Sequence, residues 1–119
     1  MELLIDKDLL SEQLDRAAIA GKLVQTIEPR AKSAYYDAVT GMIVIHLQSG
    51  AIFMFPHELG QGLVGASVEE LAEIEVIESG FGLHWETLDA DLTVPGLLAG
   101  RFGTQAWMNK LWKKQQDKD

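Results

Sequence analysis

The chain has 119 residues, a hydrophobic content of 47% and no cysteine. This length predicts one domain with a core of its own, and a chain without cysteine has no disulfide, thiolate zinc site or cysteine nucleophile. The formal net charge of −8 is divided into −11 over residues 1–100 and +3 over residues 101–119. An acidic body repels phosphate backbones, which counts against nucleic-acid binding by that body.

The cellular setting is predicted from the same features. The first ten residues, MELLIDKDLL, carry acids where a signal peptide carries basic residues. No apolar run reaches the length of about 18 residues that a membrane span needs. Together with the lack of cysteine, this predicts a cytoplasmic protein without membrane contact.

The first predicted element is a helix within residues 1–27. It is expected to begin near Asp8, because Leu10 and Leu14 recur at helical spacing, and to end at Gly21.

The clearest hairpin signal is Ser49-Gly50, which lies between the apolar runs MIVIHLQ and AIFMF. It predicts strands over 42–48 and 51–55, preceded by another strand that ends near Tyr36. A two-residue loop would place His46 opposite Phe53. One face of the hairpin would then hold Ile45, Leu47, Ile52 and Met54, and the other Val44, His46, Phe53 and Phe55. Because both faces would be mainly apolar, each is expected to be covered.

The remaining elements are short. Ser67 and Glu70 have the spacing of a capping box for a brief helix, and alternation over 73–78 predicts a further strand. Thr93 is the expected N-cap of one C-terminal helix and Thr104 that of the last. The order of elements predicts an α+β fold with one antiparallel sheet, an N-terminal helix and short C-terminal helices.

The segment GLHWETLDAD, residues 82–91, is the densest collection of chemically versatile side chains. A zinc site needs three or four ligands, and only His84 and Asp89 have a suggestive spacing here. Asp89 and Asp91 could serve acid–base chemistry only if one had a raised pKa in a cleft. We predict instead that the motif is structural, with no metal or catalytic residue. Gly82 turns the chain, Trp85 fills the core, and the polar side chains hold the backbone.

The predicted last helix carries an apolar stripe beside lysines. The stripe consists of Trp107, Met108, Leu111 and Trp112. Tryptophan is enriched at the centres of protein interfaces, so this stripe is a candidate partner-binding surface. Two alternatives remain open: the indoles cover the domain's own core, or the helix binds nucleic acid, with lysines on phosphates and tryptophans stacked on bases.

Three segments resemble one known family. They are IEPRAKSAYYDAVTGMIVIHLQSGAIFMFP, GLVGASVEELAEIEV and GFGLHWETLDADLTVPGLLAG, and together they are similar to a bacterial and phage family catalogued as domain of unknown function 2442. The matching positions in the last segment are Gly82, Leu83, His84, Trp85, Leu88, Asp89, Asp91, Leu92, Leu97 and Leu98.

The resemblance implies a small α+β domain with a hairpin, a short helix and another strand, and no established activity or cofactor. Some members are encoded beside another small protein in pairs that resemble toxin–antitoxin modules. Others carry an appended helix-turn-helix, which this sequence does not clearly show after residue 103.

These observations predict an N-terminal helical segment (1–27), a family-like α+β domain (28–103) and a basic C-terminal helix (104–119) in one compact domain. The expected function is a non-catalytic, regulatory protein-interaction module without a cofactor. Its expected partner is another protein, as in a toxin–antitoxin-like pair, or a second copy in a homodimer. A nucleic-acid-associated regulator that uses the basic helix is the alternative. A small metal-dependent or acid–base enzyme centred on His84, Asp89 and Asp91 is the third hypothesis.

Overall fold

The computed structural model describes residues 28–117, which form two three-stranded antiparallel sheets and three α-helices. The first sheet has the order β1 (Ala31–Asp37), β2 (Met42–Leu47) and β3 (Ile52–Pro56). The second has the order β4 (Glu75–Ile77), β5 (Gly82–Trp85) and β6 (Ala90–Thr93). The helices are α1 (Val68–Leu71), α2 (Val94–Leu98) and α3 (Gln105–Asp117). Two 3₁₀ turns lie at His57–Leu59 and Glu78–Gly80.

Mixed α and β structure with antiparallel strands and a C-terminal helix is therefore confirmed. The expectation of one sheet is wrong, because the strand predicted over 73–78 does not join the predicted hairpin. It forms β4, which pairs with β5 across the Glu78–Gly80 turn. The sequence pattern does not predict a strand over the GLHW stretch, which β4 needs as its partner. The predicted N-terminal helix lies outside the described residues.

The predicted register between β2 and β3 is also wrong, by one residue. Ile45 lies opposite Phe53, and Val44 lies opposite Met54. The loop contains three residues, because the Leu47 N–H donates to the Ala51 carbonyl at 2.8 Å across a turn that Gly50 ends with φ +100°. In this common three-residue hairpin loop, a turn is followed by one residue in the left-handed conformation, here Gly50.

A one-residue shift exchanges the faces of a strand, so the composition of each face differs from the prediction. The inner face, which is buried, carries Ile43, Ile45, Leu47, Phe53 and Phe55. The opposite face is called the outer face below; it carries Ser33, Tyr35, Val44, His46, Ile52 and Met54.

The main core lies between the inner face of the first sheet and the second sheet. It includes Leu63, Leu71, Leu83, Trp85, Leu92, Val94 and Leu97, which are almost completely buried. Trp85 is the largest fully buried side chain, and its Nε1 donates to the carbonyl of Leu71 at 3.2 Å. The indole thus fills the core while its one polar atom is satisfied.

The two sheets are joined where the Glu78–Gly80 turn meets the start of β1. Gly80 has φ +94°, and a Cβ added to it would lie 2.4 Å from the carbonyl oxygen of Ala31. The Gln48 side chain spans the same junction, donating to the carbonyls of Ala31 and Ser79 at 3.2 and 3.4 Å. Only glycine allows this close approach of two backbones.

Both short helices have the predicted N-caps. Ser67 accepts from the backbone N–H of Glu70, whose carboxylate accepts from the backbone N–H of Ser67. Thr93 Oγ1 accepts from the backbone N–H of Gly96 at 3.1 Å, which begins α2 immediately after β6. Among residues 28–117, none of the helices has both the length and the apolar character that crossing a membrane requires.

Candidate functional site

The GLHWETLDAD motif is a β-hairpin that consists of β5, a turn and β6. His84 lies near the middle of β5, opposite Glu75 of β4 on one side and Asp91 of β6 on the other. Neighbouring residues on a strand point to opposite faces, so Leu83 and Trp85 enter the core while His84 faces outward. The sheet therefore places a histidine between two carboxylates that are distant from each other in sequence.

Both nitrogens of the His84 ring lie close to carboxylates. Nδ1 is 2.7 Å from Asp91 Oδ1, and Nε2 is 2.8 Å from Glu86 Oε1. Ionised carboxylates only accept hydrogen bonds, so the imidazolium is the form of the ring that satisfies both contacts. The hydrogen bond to Glu86, followed by that to Asp91, raises the pKa of His84 from 6.5 to about 9. The ring is consequently protonated at neutral pH.

The turn after His84 is anchored by a fourth carboxylate. Glu73 accepts from the backbone N–H of Thr87 at 3.0 Å and from its hydroxyl at 2.9 Å, so both oxygens of Glu73 are engaged. Glu73, Glu75, Glu86 and Thr87 line an open cleft of about 470 Å³ beside the histidine. The neighbourhood of His84 is thus rich in negative charge and accessible to solvent.

The spacing-based pairing of His84 with Asp89 is replaced by contacts with Asp91 and Glu86. Asp89 lies in the turn with φ +50°, and its N–H donates to the carbonyl of Glu86 at 3.1 Å. Glu86 and Glu75 were missed by the sequence analysis. Alternation along β5 places residue 86 on the side of His84, but Glu75 is identified only once the pairing of β4 with β5 is known.

Asp91 also borders a larger cleft of about 650 Å³ on the side of the hairpin that faces the C-terminal region. Gln61, Asp89, Thr93, Arg101 and Thr104 line it together with several glycines. The Gln61 side chain is engaged there, since its Oε1 accepts from the backbone N–H of Thr104 at 2.8 Å. This contact links the loop after β3 to the start of α3.

The predicted apolar stripe of the last helix divides into two parts. Trp107 Nε1 donates to the carbonyl of Leu59 at 2.7 Å, and Met108 Sδ accepts from the backbone N–H of Phe102. These two residues attach α3 to the domain. Trp112, one turn further on, is 68% exposed and borders a small apolar groove. The groove has a volume of about 210 Å³ and is lined by Leu59, Phe102, Met108, Leu111, Trp112 and Gln115.

The fold and site define a small α+β domain in which two antiparallel sheets carry an outward histidine held by carboxylates. The family model described as protein of unknown function (DUF2442) matches residues 31–103, and the chain belongs to that family. The suspected resemblance is thereby confirmed.

Two solved structures are similar to the chain. A crystal structure of a protein of unknown function from Rhodospirillum rubrum has 53% sequence identity and a TM-score of 0.66, covering 68% of this chain and 98% of that one. A solution NMR structure of an uncharacterized protein from Chromobacterium violaceum has 34% identity and a TM-score of 0.66, covering 82% and 90%. No curated protein matches the chain.

Proposed function

We propose that the chain is a non-catalytic module that binds another protein through the outer face of its first sheet. The observation that carries this proposal is the apolar character of that face. Tyr35, Ile52 and Met54 are each about half exposed. In antiparallel sheets with one solvated face, that face is normally polar.

The outer face forms a continuous surface across three strands. Val44, at its centre, is only 4% exposed although it lies outside the main core, since it is flanked by Tyr35 of β1 and Met54 of β3. Within residues 28–117, none of the α-helices packs extensively on the first sheet, and Ser33, Tyr35, Ile52 and Met54 are exposed. A contiguous apolar patch of this kind is typical of an interaction site.

The position of β3 adds to this argument. The strand lies at one edge of the first sheet, so one side of its backbone is not paired with another strand of residues 28–117. A partner that covers the outer face would therefore also have access to an unpaired strand edge. Apolar contact and backbone hydrogen bonding would then act on the same partner.

The non-catalytic part of the proposal is supported by the state of His84. A general base needs a free lone pair at the working pH, and the pKa of about 9 leaves the His84 ring protonated near neutrality. Its two N–H groups are both directed at carboxylates. This arrangement favours a charged, structurally engaged imidazolium over a proton acceptor.

The partner in this proposal is a small protein encoded beside the chain, as in the toxin–antitoxin-like pairs that the family resemblance implies. Self-association through the same face is the competing form of the proposal. The exposed Trp112 on α3 offers a second apolar contact to either partner.

The test is co-expression of the full chain with its gene neighbour. We expect a stable complex that the paired substitution Ile52→Lys and Met54→Lys abolishes. Val39→Lys is the matched control, because Val39 is an apolar residue that is 95% exposed in the β1–β2 turn, away from the outer face. The proposal would be refuted by a complex that the paired substitution leaves unaffected. It would also be refuted if the chain, at micromolar concentration, neither bound its gene neighbour nor associated with itself.

The nucleic-acid alternative rests on three exposed lysines of α3: Lys110, Lys113 and Lys114. It predicts binding to single-stranded nucleic acid that weakens steeply with salt and is lost in a variant with Lys113→Gln and Lys114→Gln. These substitutions are preferable to deletion of the helix, because deletion would also remove the contact of Trp107 with Leu59. Salt-insensitive binding would dismiss this alternative.

A further inference from the structure

We propose that His84, Glu75 and Glu86 form a binding site for one divalent transition-metal ion of borderline softness, of which Zn²⁺ is the representative. One ligand atom from each of these residues lies within 4.8 Å of those of the other two. One imidazole nitrogen with two carboxylate oxygens is a donor set that suits Zn²⁺. The site would leave at least one coordination position open to water or to another molecule.

The positions of the three ligands follow from the sheet. His84 and Glu75 are opposite each other on β5 and β4, and Glu86 follows His84 by two residues, just after β5 ends. Tetrahedral coordination with ligand distances of about 2.1 Å needs donor atoms roughly 3.4 Å apart. Glu75 and Glu86 are exposed, so small rotations of their side chains are sufficient to close the site.

The feature that distinguishes this site from a simple acidic cluster is the orientation of the histidine. Asp91 lies 2.7 Å from Nδ1, on the opposite strand, and therefore directs Nε2 toward Glu86. Histidine ligands of metal ions usually donate their second ring N–H to a carboxylate in this way, which sets the tautomer and makes the ligating nitrogen more basic. Asp91 is thus a positioning residue and not a ligand.

The neighbouring carboxylate has a different role. Both oxygens of Glu73 accept hydrogen bonds from Thr87, whereas the carboxylate of Glu75 accepts none from residues 28–117. Glu73 and Glu75 lie in the same open cleft and have the same charge. They therefore form a matched pair in which Glu75 binds the ion and Glu73 holds the turn.

The experiment measures Zn²⁺ binding to the full, tag-free chain by competition with a chromophoric chelator. We expect one ion per chain, with binding lost in His84→Gln, Glu75→Gln and Glu86→Gln and weakened roughly 10- to 100-fold in Asp91→Asn. Glu73→Gln controls for general loss of negative charge, and His57→Gln controls for loss of a histidine elsewhere. Circular dichroism establishes that each variant is folded.

Two outcomes would overturn the inference. The first is an absence of one-to-one binding by the folded wild-type chain at micromolar concentrations of chain and ion. The second is equal weakening by Glu73→Gln and Glu75→Gln, which would show attraction by charge alone. If His84→Gln does not fold, Glu75→Gln and Glu86→Gln carry the test, because both change exposed side chains.

Discussion

The three tryptophans provide the sharpest test of the packing, because each makes a different contact. Trp85 is completely buried, with its Nε1 bonded to the carbonyl of Leu71. Trp107 is partly buried and donates to the carbonyl of Leu59. Trp112 is 68% exposed. Replacing each one with phenylalanine should therefore have three different effects on the free energy of unfolding.

The expected magnitudes follow from what each substitution removes. Trp85→Phe leaves a buried carbonyl without its donor, at a cost of about 1–3 kcal/mol, and a cavity where the second ring was. We expect it to lower the free energy of unfolding by roughly 2–4 kcal/mol. Trp107→Phe loses a partly solvated hydrogen bond and should cost about 1 kcal/mol. Trp112→Phe should change the free energy of unfolding by less than about 0.5 kcal/mol.

The assay is urea unfolding of the full chain, followed by far-ultraviolet circular dichroism because the substitutions alter the fluorescence themselves. The unfolding midpoints of the three variants can be compared directly when the free energy of unfolding depends on urea concentration with the same slope in each. Trp112→Phe is the internal control for loss of an indole. A cost for Trp85→Phe no larger than that for Trp112→Phe would refute the assignment of Trp85 to the core.

Three further predictions concern pH, the junction between the sheets and a helix cap. The pKa of His84 in the folded state lies above its unfolded value of 6.5, so the contribution of His84 to stability is complete below pH 6.5 and is lost as pH rises through about 9. With chelator present, the difference in melting temperature between wild type and His84→Gln should be largest near pH 6 and absent near pH 10. Gly80→Ala should lower the free energy of unfolding by more than about 2 kcal/mol, because alanine would be strained at this positive φ and its Cβ would also collide with the carbonyl of Ala31. Gly100→Ala should lower it by only about 1–2 kcal/mol in urea unfolding, because Gly100 has φ +86° but no atom lies within 4 Å of the added Cβ. Thr93→Ala should lower stability by about 1 kcal/mol, measured in the same way, because it removes the N-cap of α2.

The features that the sequence predicted correctly depend on residues close together in the chain. The capping box of Ser67 and Glu70 and the N-cap Thr93 each act over three residues, so their spacing already contains the geometry. The burial of Trp85 is likewise predicted from the size and apolar character of one residue, although the strand β5 that holds it is not.

The features that were missed depend on pairing between segments. Whether the loop at Gly50 has two or three residues changes the face of every side chain on β3, and the sequence is compatible with both lengths. The partners of His84 illustrate the same difficulty. Asp91 is seven residues away and Glu75 nine, and they become neighbours only through the registers of two different strand pairs.

The row of Glu75, His84 and Asp91 crosses all three strands of the second sheet. The His84 ring at the centre of this row therefore reports whether the three strands are paired. In nuclear magnetic resonance spectra, the proton between Nδ1 and Asp91 should give a downfield signal. That signal should disappear as soon as β6 separates from β5, even while the rest of the molecule keeps its native spectrum, so one resonance would follow local opening of this hairpin.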